Sequence, residues 1–380
     1  MSKIMSHMIK IIMLVTLAYA LGAISYKYHL PPYSVIKTIY NNIYPREQDE
    51  EFDRKYNEAQ FGEIISIRNQ EDLTALKSRL VSFLWGSARL PQSLPASVQQ
   101  NFIDSRYADI QDLLRIDKLI VQMEFGIESS VYHFIPKKPN NRLVLFHQGH
   151  EGDFFLSKNL IAQFLAEGYS VTAFAMPLFG LNNQPVVTLS RFGRLKLSSH
   201  DRMKFLLGST GHPIKYFVEP VVVALNYLKH NYRYRHIAMV GISGGGWTTT
   251  LAAAIDSRIA MSFPVAGSYP ISLRSESSSE WGDWEQNEPR LYEIANYLEL
   301  YILGAYGNNR KQLQMLNKYD ACCFRGNRSN TYKNEVRSRV NNLGLGEFDV
   351  FLDETHHDHK ISEAAMRRII IELAASKDVP

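Results

Sequence analysis

Cysteine is nearly absent from this chain of 380 residues: Cys322 and Cys323 are the only two, and they are neighbours. Pairing adjacent cysteines distorts the peptide between them, so no disulfide framework is expected and cysteine usage does not encode a compartment. A large charge surplus is missing too. Forty-two basic residues against 38 acidic ones leave +4, and no basic block carries interleaved aromatics, so no nucleic-acid partner is expected. Internal repeats and low-complexity tracts are absent, which removes solenoids and fibrous arrays. The chain has a histidine-rich run at 356–359 but neither H-x-H-x-D-H nor H-E-x-x-H, so no metal is expected. The N-terminal uncharged run, residues 11–26 between Lys10 and Lys27, has sixteen residues, between a signal-peptide core and a comfortable membrane span. It is read as an uncleaved membrane anchor with a cytoplasmic N-terminus, with a signal cleaved after Ala18-Tyr19-Ala20 as the alternative. Both readings place the body outside the cytoplasm.

The length suits one large α/β domain with accessory segments, or two domains. Residues 1–27 form the anchor or signal. Residues 28–115 read as a tether and a helical accessory segment, with Pro91 and Pro95 among polar runs. From 116 onward, strand and helix patterns alternate. Residues 119–125 and 130–135 read as a hairpin turning at Gly126, and 142–146 (RLVLF) as a central parallel strand. Further strands are expected at 169–175, 236–240, 259–265, 313–316 and 348–352, and helices at 157–167, 213–230 and 361–375. This alternation predicts a mostly parallel twisted sheet with helices on both faces. Two insertions, 181–212 and 268–310, interrupt it; the second is rich in aromatic and acidic residues, including Trp281, Asp283, Trp284, Glu285, Tyr292, Tyr297 and Tyr301.

What the chain does have is Gly241-Ile242-Ser243-Gly244-Gly245-Gly246-Trp247, a G-x-S-x-G frame between an apolar strand and a helical run. That context makes Ser243 a candidate nucleophile on a tight turn, backed by a helix N-terminus whose N–H groups suit an oxyanion. A serine hydroxyl needs a base, and histidine titrates near neutrality; a carboxylate then fixes the ring tautomer. Asp320 follows the strand at 313–316, and His356, His357 and His359 follow the strand at 348–352. All fall at carboxyl ends of strands, where open α/β sheets place their sites. His359 is preferred as base because it stands before Lys360-Ile361 at the start of the last helix; His356 is second and His357 third. For the oxyanion, Gly244 N–H is one donor. The loop after 142–146, His147-Gln148-Gly149-His150, supplies the other, with His150 preferred and Gly149 the alternative. His147 is read as structural, Asp353 and Glu354 as loop residues, and His200-Asp201 and His212-Pro213 as local caps and turns.

In FHQGHEGD, AFAMPLFG, GISGGGW, NKYD and DETHHDHKIS, taken in order, residues 116–380 resemble the α/β-hydrolase superfamily. The resemblance implies an α/β-hydrolase fold and hydrolysis of esters, less often amides, through an acyl-enzyme on Ser243 with Asp320 and His359, and with no cofactor. A small-molecule or saccharide ester is the expected substrate and the membrane the expected contact of the N-terminal segment. A peptidase, an acyltransferase or a non-catalytic binding protein on the same fold are the alternatives. Gln148, where a glycine is common, and the several histidines are the departures from the pattern.

Overall fold

The structure, a computed structural model, describes residues 2–27, 31–32, 35–36, 61–206, 208–274 and 278–376. The expected tether at 28–60 lies almost wholly outside them. The chain divides into two compact units, Met1–Lys55 and Tyr56–Pro380.

The first unit holds helix α1, Ser2–Lys27. Ile11, Leu14, Leu17 and Leu21 on it are each more than half exposed. Among the described residues no helix is long and apolar enough to cross a membrane. The anchor expected at 11–26 is therefore not supported. The physical reason is length: sixteen residues at ~1.5 Å each span ~24 Å, short of a ~30 Å hydrocarbon core.

The second unit is built on one nine-stranded sheet in the order β1-β2-β3-β5-β4-β8-β9-β10-β11. Its strands are β1 (Ser97–Gln99), β2 (Leu113–Gln122), β3 (Glu128–Pro136), β4 (Arg142–His147) and β5 (Ser170–Phe174). Beyond β6 (Val186–Leu189) and β7 (Gly193–Lys196), which pair only with each other, come β8 (His236–Ile242), β9 (Met261–Val265), β10 (Lys311–Asn317) and β11 (Glu347–Asp353). Strands β5, β4, β8, β9, β10 and β11 are parallel, and β1 to β3 extend the sheet antiparallel.

The central strands are apolar throughout because both faces are covered. Their side chains alternate between two cores. Leu143, Leu145 and Met239 face one; Val144, Phe146, Ala238 and Val240 face the other. The first core is covered by helices α2 (Gln70–Trp85), α4 (Lys215–Asn231), α5 (Gly244–Ile255), α6 (Tyr297–Ala305) and α7 (Lys333–Asn342). The second is covered by α3 (Lys158–Ala166) and α8 (Glu363–Ala375).

Two segments differ from the expectation. Residue 116 falls inside β2, and β1 pairs with β2 through Ser97 and Ile120. Part of the supposed accessory segment thus completes the sheet edge, while α2 buries Leu73, Leu76, Leu80 and Leu84 on the first core. The segment 268–310 ends in α6, all nine residues of which are buried. A helix buried on every side belongs to an interior, so Tyr297 and Tyr301 are core rather than cover. Trp284 is also buried, whereas Trp281 is 47% exposed.

Candidate active site

The chain runs from β4 outward to β5, then returns to the other side of β4 as β8. That reversal leaves a crevice at the carboxyl ends of β4 and β8, the usual location of sites in such sheets. Ser243 stands there, between β8 and α5. Its backbone lies at φ 58, ψ −126, a conformation costly for a residue with a β-carbon and held only because its surroundings over-determine it. Ser243 N–H donates to the Val265 carbonyl of β9 (2.9 Å), and Trp247 N–H donates to the Ser243 carbonyl (3.0 Å). Glycines around it are a matter of space. A β-carbon on Gly245 would lie 2.1 Å from the His147 carbonyl oxygen, and one on Gly149 would lie 2.8 Å from Ser243 Cβ. The loop after β4 therefore rests directly on the turn that carries Ser243. Gly244 is the first residue of α5, and the N–H groups of a first helical turn have no acceptor within the helix.

Asp320 follows β10 and His359 follows β11, as their strand assignments require. His359 Nδ1 lies 2.8 Å from Asp320 Oδ2. The Asp320 side chain is wholly buried and that of His359 is 10% exposed. Three more donors hold the carboxylate. Asn317 Nδ2 donates to Oδ2 at 3.1 Å, and the backbone N–H groups of Cys322 and Cys323 donate to Oδ1 at 2.8 and 3.1 Å. The turn that presents those two N–H groups brings the cysteine sulfurs together as a disulfide, where none was expected. On the far side of the ring, His359 Nε2 is buried and has no hydrogen-bond partner among the described residues. His356 instead sits 3.5 Å from Asp353 Oδ2, and the exposed His357 stacks on Tyr319 with ring centres 5.1 Å apart. Asp353 is committed elsewhere: it accepts from Thr355 (2.9 Å from its N–H) and from the Ser362 hydroxyl at the start of α8. Burial raises its pKa, but these bonds outweigh it and hold the carboxyl below its usual range.

The loop after β4 is held by local hydrogen bonds. His147 Nδ1 lies 2.8 Å from the Gln148 carbonyl, and burial pushes this histidine down to about 4, so it is neutral near pH 7. Gln148, where a glycine is common, turns its side chain into the protein and accepts from Ser157 (2.8 Å).

His150 has surroundings that no local pattern disclosed. Its ring covers Gly244 so closely that a β-carbon there would lie 2.4 Å from His150 Cε1. Its Nε2 meets Asp283 Oδ2 at 3.0 Å, Glu285 Oε1 at 3.1 Å and His200 Nδ1 at 3.3 Å. Burial works against its charge, yet the two carboxylates raise it to about 9. Burial would likewise raise Glu285, but His200 and His150 overcome this and keep it ionised, at about 2. His200, expected as a cap or turn residue, is buried beside His150. The roles of His200 and Glu285 are not legible in the sequence because their partners lie 50 to 135 positions away with no shared motif, whereas Asn317 shares the NKYD segment with Asp320.

A separate cavity of about 670 Å³ lies at the amino ends of β8 and β9, lined by Lys77, Lys229, Arg235, Arg258 and Arg310 among others. None of the candidate catalytic residues lines it, and it is remote from the elbow.

No protein-family profile and no curated relative matches the sequence. Solved structures do. An acetyl xylan esterase from Paenibacillus sp. R4 superposes with a TM-score of 0.54 at 15% identity, over 82% of this chain and 97% of the other. The chain has the α/β-hydrolase fold. A methylesterase gives a TM-score of 0.55 at 16% identity, over 87% of this chain and 69% of its own. Acetyl xylan esterase 1 from Thermoanaerobacterium sp. JW/SL YS485 gives 0.51 at 12%, over 80% and 94%. At such identities the likeness concerns the α/β-hydrolase fold alone.

Proposed function

We propose that the chain is a serine hydrolase of carboxylic esters. The observation that carries this reading is the buried Asp320–His359 pair, 2.8 Å apart, with the second ring nitrogen of His359 unpartnered among the described residues. A histidine held by a carboxylate at Nδ1 keeps its proton there and offers a lone pair at Nε2, the form a general base needs. His359 Nε2 takes the Ser243 hydroxyl proton as Oγ bonds to the ester carbonyl carbon. The carbonyl electron pair moves onto oxygen, where the N–H groups of Gly244 and His150 receive it. Collapse breaks the carbon–oxygen bond, and His359 returns its proton to the departing alkoxide. Water then repeats the sequence against the acyl-Ser243 ester and releases the carboxylic acid. Asp320 stabilises the imidazolium in both halves.

The substrate proposed is an O-acyl ester on a saccharide or extracellular polymer. Two of the structural neighbours are named acetyl xylan esterases and a third a methylesterase. We also place the body outside the cytoplasm, led by the exposed apolar helix α1. Cell fractionation with N-terminal sequencing tests that placement; a full-length chain confined to the cytoplasm refutes it.

The decisive experiment is labelling with a fluorophosphonate, which reacts with an activated serine, followed by turnover on acetate esters. The wild-type chain should label at Ser243 and hydrolyse. Ser243→Ala should lose label and about 10⁶-fold in kcat. A variant that keeps most of its turnover removes the assignment, and a wild-type chain that never labels is a binding protein.

A further inference from the structure

Four side chains from three separate segments meet beside the elbow. His150 comes from the loop after β4, His200 from the segment following β7, and Asp283 and Glu285 from the stretch after β9. His150 Nε2 lies 3.0 Å from Asp283 Oδ2, 3.1 Å from Glu285 Oε1 and 3.3 Å from His200 Nδ1. His200 Nδ1 lies 3.2 Å from Glu285 Oε1 and 3.7 Å from Asp283 Oδ2. One ligand atom from each residue falls within 4.8 Å of all the others. A tetrahedron whose vertices sit ~2.0–2.2 Å from its centre, as nitrogen and oxygen ligands sit from Zn(II), has edges of ~3.3–3.6 Å. The measured separations scatter around that edge.

Protons fill this arrangement poorly. His200 Nε2 lies 3.0 Å from the Pro177 carbonyl oxygen, which only accepts, so Nε2 carries a hydrogen. Neutral His200 then turns a lone pair toward two carboxylates. His150 Nε2 has three close partners, and a single N–H can be directed at one of them. Hydrogens on both facing nitrogens would oppose each other across 3.3 Å. Among the described residues, Glu285 Oε2 is buried and accepts no hydrogen bond, although it is 3.2 Å from His200 Nδ1. One central cation takes a lone pair from every vertex at once. Two neutral imidazoles with two carboxylates carry −2, which a divalent ion cancels.

We propose that His150, His200, Asp283 and Glu285 form a binding site for a divalent transition-metal ion, with Zn(II) the best match to two imidazole and two carboxylate ligands in a tetrahedron. The Pro177 carbonyl fixes the His200 tautomer, the usual second layer of such a site. All four positions are occupied by protein, which makes the ion a clamp rather than a hydrolytic centre. It ties the two inserted segments to the loop that rests on Ser243, and so sets the position of the His150 backbone. The proposal stands independently of the esterase reading.

The test is a Co(II) titration of the untagged full-length chain after removal of metal with a chelator. Tetrahedral Co(II) shows visible absorption bands that octahedral Co(II) shows only weakly. The bands should saturate at one ion per chain and vanish on addition of Zn(II). Saturating Zn(II), at ~100 times its Kd, should raise the Tm of the stripped chain by about 4 °C. Asp283→Asn is the variant best suited to keep the fold, since this side chain is 54% exposed; together with His200→Gln it should weaken binding by at least about tenfold. His357→Gln, in the histidine-rich loop, should bind like the wild type. Absence of stoichiometric bands with an unmoved Tm overturns the proposal. So do bands that survive in both ligand variants or disappear in His357→Gln.

Discussion

Asp320→Asn is the sharpest perturbation of the proposed triad, because the structure specifies what the exchanged atoms meet. The amide oxygen should take the place of Oδ1, where two backbone N–H groups point at it from Cys322 and Cys323 at 2.8 and 3.1 Å. That leaves the amide NH₂ at the Oδ2 position, facing His359 Nδ1. An N–H there donates, so His359 must accept at Nδ1 and carry its hydrogen at Nε2, where it can no longer take a proton from Ser243. The NH₂ also opposes Asn317 Nδ2, which cannot flip without losing its 3.0 Å bond to the Lys360 carbonyl. One lost buried hydrogen bond costs ~1–2 kcal/mol of stability. The wrong tautomer should cost ~10⁴-fold in kcat, equivalent to ~5.5 kcal/mol of transition-state stabilisation. The assay is kcat and KM on a small activated acetate ester, beside urea unfolding of the same preparation. KM should change little. A folded Asp320→Asn protein within tenfold of the wild-type kcat would refute the pairing of Asp320 with His359 as catalytic machinery. Loss of folding alone would be recognised by the unfolding curve, and Ser243→Ala keeps the chemistry testable in that event.

Further outcomes follow from other positions. Gly149→Ala should push the loop off the elbow, since its β-carbon would sit 2.8 Å from Ser243 Cβ. It should lower kcat by ~10²–10³ with little change in KM, as when one oxyanion donor is lost; unchanged kcat would mean the loop donor is not used. His133 and His147 are buried and held at about 4, chiefly by desolvation. Their folded pKa values lie below the ordinary ~6.5, so the unfolded chain takes up protons first and stability falls as pH drops from ~6.5 toward 4, by up to ~3 kcal/mol per histidine. Urea midpoints measured across that range check this, and a flat profile between pH 7 and 4.5 would contradict it. Trp284→Ala should destabilise by ~3–5 kcal/mol because the ring is buried. Trp281→Ala, at a 47% exposed ring, should keep the Tm and change the ratio of large-ester to small-ester turnover; equal losses on both esters would assign Trp281 a structural role.

The strand–helix alternation was legible in the sequence because periodicity and buried apolar runs are local properties. RLVLF at 142–146 is apolar on both faces and became central β4, buried from Leu143 to His147. The same locality explains the errors. β1 has three residues and exists by pairing with β2, which no three-residue pattern announces. YLELYILGA reads as an aromatic insertion until α5, β9, β10 and β11 close around it.

From sequence alone came the order of the six parallel strands, the turn at Ser243 and the placement of Asp320 and the histidines after successive strands. These follow from backbone sterics and from the rule that parallel strands end on one side of a sheet. What sequence could not decide was which histidine meets Asp320, because His356, His357 and His359 occupy one loop and differ by rotation about a few bonds. Folding resolved it: His356 is drawn toward Asp353, His357 lies on Tyr319, and His359 reaches Asp320. Tertiary structure also decided the meeting of His150, His200, Asp283 and Glu285. Residues 50 to 135 positions apart carry no mutual signal along the chain. Only packing of the two inserted segments over the carboxyl ends of β4 and β8 brings their charges within reach of one another.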